Sequence, residues 1–113
     1  MIGIVGNGFV GNAIYQNVRD KVDTKVYDID PIRSLNTLEE VVDQEFIFVC
    51  LPTPMKKDGS CDLSILEKFF QDIEDMDLDC LEERTFIIKS TVPIGTTKRL
   101  AEKHSLTWIV HNP

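Results

Sequence analysis

Three glycines stand near the start of the chain, in Gly6-Asn7-Gly8-Phe9-Val10-Gly11, a GxGxxG pattern. Four apolar-leaning residues precede it, Ile2-Gly3-Ile4-Val5, and an amphipathic segment follows. In that context each glycine has its own use. Gly6 permits a tight turn, Gly8 lets the backbone approach a pyrophosphate with no Cβ in the way, and Gly11 allows a helix to pack close to a strand. The N–H groups at the helix start, helped by the helix dipole, then suit a diphosphate. A second chemical group supports this reading. Asp28 lies 22 residues after Gly6, at the end of the next apolar run. A carboxylate there accepts hydrogen bonds from ribose hydroxyls and repels a 2′-phosphate, so the pair of features points to a dinucleotide, NAD in preference to NADP. Asp30 is a nearby alternative, placed beyond the strand end.

The other reactive side chains are less suggestive. Cys50, Cys61 and Cys80 form neither a CxxC nor a zinc spacing, so no metal site is expected, and reduced thiols are. Cys61 has no His or Lys beside it that would activate it, and Cys50 reads as a small buried residue at a strand end. His104 and His111 are isolated and read as structural or surface residues. Residues 67–83 hold eight acids against the single base Lys68, which accounts for the whole net charge of −7. That run reads as a solvated helix end and loop, with an acidic partner-binding or metal site as the alternative.

The elements that must position these residues follow from periodicity. Ile2 to Val5 reads as a buried strand, residues 9–20 as a helix with Val10, Ala13, Ile14, Asn17 and Val18 on one side, and Thr24 to Tyr27 as a second strand. Pro31 opens a short turn or helix, and Leu38 to Val42 form a brief helix. Phe46 to Cys50 is apolar throughout, as a strand covered on both faces would be. Residues 63–75 place Leu63, Leu66, Phe69, Phe70 and Ile73 on one helical face, with Asp62 as the cap, or Ser64 with Glu67 as a capping box. Thr85 to Ile88 and Thr107 to Val110 complete the strands, with a helix around 96–104 between them. Strands alternating with helices predict an α/β fold: a Rossmann-like doubly wound parallel sheet of about five strands in three layers, α/β/α, with order 2-1-3-4-5. A further strand near Leu35 to Thr37 has room for no more than a vestige.

A chain of 113 residues fits one domain, here read as a cofactor domain over residues 1–113, without space for a full substrate domain. The acidic balance argues against nucleic acid as a partner. No apolar run approaches the ~20 residues of a membrane span, and Met1 stands too close to the first strand for a signal peptide, so a cytoplasmic protein is expected.

The spacing of Gly6 to Gly11, Val26-Tyr27-Asp28-Ile29-Asp30, Leu51-Pro52-Thr53-Pro54 and Lys89-Ser90-Thr91-Val92-Pro93-Ile94-Gly95 resembles the UDP-glucose/GDP-mannose dehydrogenase family. The pairing of PTP after the third strand with KSTVPxG after the fourth is the specific part. Members oxidise C6 of a nucleotide sugar to a carboxylate in two NAD-dependent steps. The resemblance implies that Gly6, Asn7, Gly8, Phe9, Val10 and Gly11 bind the NAD diphosphate, that Asp28 holds the adenosine ribose, and that Arg33 flanks it. It implies that Cys50, Leu51, Pro52, Thr53 and Pro54 line the cofactor, with Thr53 its polar contact, together with Ser90, Thr91 and Val92. Thr91 matches a threonine beside the nicotinamide that helps hold a water near the reacting carbon, the catalytic role in this stretch. Lys89 is explained equally well as a strand lysine facing solvent.

The pattern also departs from the family. The segment after Asn112-Pro113, with its glutamate, is absent, as is the substrate-binding and dimerising domain with its nucleophilic cysteine. None of the three cysteines stands at that place, and the second oxidation needs such a thiolate to trap the aldehyde. The expectation is therefore a chain that binds NAD without completing the oxidation alone: a truncated product, a fragment, or one half of a pair. A nucleotide sugar is then a partner only when a second domain is supplied, and a homo-oligomer is compatible with the reading. Two alternatives stay open: a 6-phosphogluconate- or β-hydroxyacid-dehydrogenase-like NAD domain, and a non-catalytic NAD-binding module.

Overall fold

The computed structural model describes residues 1–76, 83–90, 92–93, 95–103 and 108–111. Five strands form one parallel sheet in the order β2-β1-β3-β4-β5: β1 (Ile2–Val5), β2 (Thr24–Tyr27), β3 (Phe46–Val49), β4 (Thr85–Ile88) and β5 (Trp108–His111). Among the described residues four helices connect them, α1 (Phe9–Val18), α2 (Leu38–Val42), α3 (Ser64–Asp75) and α4 (Thr96–Lys103). The register is even across the sheet, with Ile4 beside Val26 and Phe48, Phe48 beside Ile87, and Ile87 beside Val110. The predicted strand order and fold class are those observed. Residues 34–37 form no strand, so the vestigial third strand is absent.

Strand side chains alternate between faces, and the two faces are covered unequally. Val5, Ile47, Val49, Phe86 and Ile88 pack with Val41 and Val42 of α2, with Leu66, Phe69, Phe70 and Ile73 of α3, and with Leu100 of α4. Three rings interlock edge-to-face at its centre: Phe69–Phe70, Phe69–Phe86 and Phe70–Phe86, with centroids 5.0, 6.4 and 5.4 Å apart. Gly3 lets α2 come down onto β1; a Cβ there would meet the Val41 carbonyl oxygen at 2.4 Å.

The opposite face carries α1, which lies over β1 and β2. Beyond it, Phe46 is 41% exposed and Val110 46% exposed. The expectation that the Phe46–Cys50 strand is covered on both faces therefore fails: its Ile47 and Val49 side is sealed, its Phe46 side is open, and the strand ends at Val49.

The helices differ from expectation in detail. α1 ends at Val18, and its inward side is Gly11, Ile14, Tyr15 and Val18, while Val10, Ala13 and Asn17 are exposed. The reason is Gly11, whose contact with β1 fixes the rotation of the helix. Leu63 takes the N-cap position of α3 without a side-chain bond, and Asp62 Oδ1 accepts from the Ser64 N–H at 3.0 Å. Asp62 thus bonds the first turn from the position before the cap, and the Ser64 hydroxyl, followed by this N–H, holds its carboxyl below the usual range. α2 has a full capping box between Thr37 and Glu40. The described part of β5 is Trp108–His111; Thr107 and His104, assigned to the strand start and the preceding helix end, lie outside the described residues.

Candidate functional site: the groove at the strand ends

The C-terminal ends of β1, β2 and β3, where parallel strands hand over to helices, border a groove of about 770 Å³. The β1–α1 turn forms its floor. Gly6 sits at φ +94°, and a Cβ there would lie 2.7 Å from the Cys50 carbonyl oxygen. Gly11 is still tighter: its Cβ would fall 1.8 Å from the Gly6 carbonyl oxygen and 3.3 Å from Ile4 Cγ2. Both glycines are required by the protein's own packing. Gly8 differs, since a Cβ there would meet nothing within 4 Å while the residue lines the groove. The space above Gly8 is open to a ligand, and a helix start leaves its first N–H groups without intrahelical partners.

Asp28 stands at the end of β2. Its Oδ2 accepts from the Asn7 N–H at 2.7 Å and its Oδ1 from the Asp30 N–H at 2.8 Å, while its own N–H donates to Ser34 Oγ. A carboxylate has about four lone-pair positions; these two bonds occupy two of them, and Asp28 lines the groove. Asn7 Nδ2 also donates to the Arg33 carbonyl at 2.7 Å, so one residue ties the glycine turn to both ends of the β2 turn. Arg33 lines the groove, and its Nε lies 3.8 Å from Asp30 Oδ2. Asp30 itself supports the turn, its Oδ1 accepting from the Ile32 N–H.

The β3 end supplies the facing wall. Cys50, Leu51, Pro52 and Thr53 line the groove, with Lys89 and Ser90 from the end of β4. Ser90 Oγ donates to the Leu51 carbonyl and joins the two strand ends. Burial pushes the Cys50 thiol up to about 11, the Lys89 ammonium opposing this only weakly. It is a neutral wall and not a nucleophile.

Of the residues singled out in the sequence, Gly6, Gly8, Phe9, Val10, Asp28, Arg33, Cys50, Leu51, Pro52, Thr53 and Ser90 converge on this groove. Asn7 and Gly11 support it from behind. Pro54 is not among the lining residues; its carbonyl accepts from the Asp62 N–H at 2.7 Å, beside the Met55–Cys61 bridge, and Val92 packs against the core. Thr91 lies outside the described residues. Sequence reasoning passed over Leu38, Ile65, Lys68, Phe69 and Asp72, which also line the groove. The signal available was the i, i+3, i+4, i+7 spacing of Ile65, Lys68, Phe69 and Asp72, which sets them on one stripe of α3.

A parallel sheet with a glycine turn at the first strand and an acid at the second defines a dinucleotide-binding α/β domain. The NAD binding domain of the UDP-glucose/GDP-mannose dehydrogenase family matches residues 20–110, and the chain belongs to that family. The match begins after the glycine turn, so that turn stands on its own geometry. The chain is 37% identical over 75 residues to an uncharacterized protein of Methanocaldococcus jannaschii, covering 65% of this chain and 8% of that one. Its fold is similar to that of a UDP-glucose dehydrogenase from Pyrobaculum islandicum, with TM-score 0.71 and 19% identity over 97% of this chain and 34% of that one. A GDP-mannose dehydrogenase from Pseudomonas aeruginosa superposes with TM-score 0.73 and 21% identity over 91% of this chain and 31% of the other. The chain thus spans about a third of the solved structures it matches and far less of the M. jannaschii relative.

Proposed function

We propose that this chain forms the cofactor site of a nucleotide-sugar 6-dehydrogenase and takes NAD in preference to NADP. The observation that carries the reading is the Asp28 carboxylate, which lines the groove and is bonded to the Asn7 amide of the glycine turn, with acceptor capacity left for ribose hydroxyls. The residues fit the cofactor. The open space at Gly8 suits the diphosphate, Asp28 the adenosine ribose, and Arg33 the rim beside it. Cys50 to Thr53 form the wall along which the nicotinamide half extends. NAD, when bound, supplies the hydride acceptor; the chain's own residues bind and orient it.

Lys89 and Ser90 bring the end of β4 to the groove, which supports the resemblance-based role of Thr91 beside the reacting carbon. The substrate on this reading is a nucleotide sugar held by a further domain, which also supplies the thiolate for the second oxidation. A cytoplasmic location and a homo-oligomeric whole protein belong to the same reading; sedimentation of the full-length protein tests the latter. Among the described residues no helix is long and apolar enough to cross a membrane.

Calorimetric titration with NADH and NADPH tests the cofactor assignment. The expected result is saturable NADH binding, with NADPH at least about tenfold weaker, one such factor being about 1.4 kcal/mol. Absence of NADH binding at millimolar concentration would overturn it.

A further inference from the structure

Helix α3 carries two charged side chains that the cofactor assignment above leaves unused. Lys68 Nζ lies 3.2 Å from both carboxylate oxygens of Asp72, one turn further along the helix. An exposed pair at this spacing contributes little to stability, yet both residues line the groove that holds the glycine turn and Asp28.

Their place along the groove is set by their helix. Met76, one turn beyond Asp72, borders an adjoining recess together with Asp28, Ile29 and Leu38. This stripe of α3 therefore looks toward the end of β2. Lys89 and Ser90 follow the end of β4, which lies on the other side of β1 and β3 from β2. Asp28, Ile29, Leu38 and the Ile65, Lys68, Phe69, Asp72 stripe of α3 line one groove. A base carried by a ribose on Asp28 would therefore find apolar side chains for its flat faces and the two charged ones for its polar edge.

From this placement we infer that Lys68 and Asp72 read the edge of the adenine base: Asp72 accepts from the exocyclic amine, and Lys68 holds Asp72 in place while donating to a ring nitrogen. The inference rests on the cofactor reading and adds to it a specificity-determining pair. A purine with an oxygen at that position would set its lone pairs against the Asp72 carboxylate, so the site should favour adenine over hypoxanthine. The side chains of Lys68 and Asp72 are 75% and 43% exposed, so their replacement is tolerated by the fold.

The experiment compares NADH with reduced nicotinamide hypoxanthine dinucleotide by calorimetry, using the full chain, Asp72→Ala, Asp72→Asn and Lys68→Met, each checked for an unchanged melting curve. The unmodified chain should bind NADH about tenfold more tightly than the hypoxanthine analogue. Asp72→Ala should bring the ratio close to one, with Asp72→Asn and Lys68→Met in between. Equal affinity of the unmodified chain for both dinucleotides, or an unchanged ratio in Asp72→Ala, overturns this inference and leaves the cofactor reading intact. Failure to bind either dinucleotide overturns both.

Discussion

The backbone N–H of Asn7 donates to Asp28 Oδ2 at 2.7 Å, across 21 residues of sequence. The glycine turn and the acid at the end of β2, proposed to take the diphosphate and the ribose, are therefore tied together, since a shift of either moves the other. Substituting Asp28 by Ala removes the anchor of the Asn7 amide and, on the proposed cofactor reading, the hydrogen bonds to the ribose. Hydrogen bonds to charged groups are each worth about 1.5–3 kcal/mol, so NADH affinity should fall at least about tenfold. The NADPH penalty should shrink at the same time, because the repelling carboxylate is gone. Parallel titrations read both quantities, and an unchanged NADH affinity would remove Asp28 from the site.

Gly8 and Gly11 should separate binding from folding. A Cβ on Gly11 would lie 1.8 Å from a backbone oxygen, whereas one on Gly8 would touch no protein atom. Gly11→Ala should therefore destabilise the fold by about 1–3 kcal/mol or more through overpacking. Gly8→Ala should stay within about 1 kcal/mol of the parent, as expected for a helix N-cap lacking a side-chain bond, yet lose most of its NADH affinity. Urea denaturation alongside calorimetry checks the pair, and equal loss of stability in both variants would contradict it.

Cys50 should be slow to alkylate. Burial pushes its thiol up to about 11, so the fold favours the neutral form. This contribution to stability is present below the ordinary thiol range, near 8.5, and is lost as pH rises through about 11. In a Cys61→Ser, Cys80→Ser background, iodoacetamide should react at a rate that climbs toward pH 11. A rate that levels off near pH 8.5 would show an ordinary thiol.

The two faces of the sheet should respond differently to truncation. Phe70 is 1% exposed among the rings of α3 and β4, and Phe70→Ala should cost about 3–5 kcal/mol. Phe46→Ala, on the partly open side of β3, should cost much less, since part of its surface is already in water. Urea midpoints measured at a common slope decide this, and equal costs would mean that the open face is covered in solution.

Much of this protein is local enough to be legible in one dimension. Gly6, Gly8 and Gly11 declare a turn that other residues cannot make, Asp28 follows at the distance set by one helix and one strand, and alternating apolar runs dictate a parallel sheet. Strand order follows from short right-handed crossovers. Tertiary structure decided the rest, because it depends on which atoms meet across the fold. Close contact of Gly11 with β1 turned Ala13 and Asn17 outward, against the apparent stripe of α1. Coverage by α1 alone left Phe46 partly open, although the β3 sequence looks alike on both sides. The Asn7 bonds to Asp28 and Arg33, and the groove that Lys68 and Asp72 line together with Asp28, join segments far apart in the chain; no spacing encodes them, since they arise only when β1, β2 and α3 are packed together.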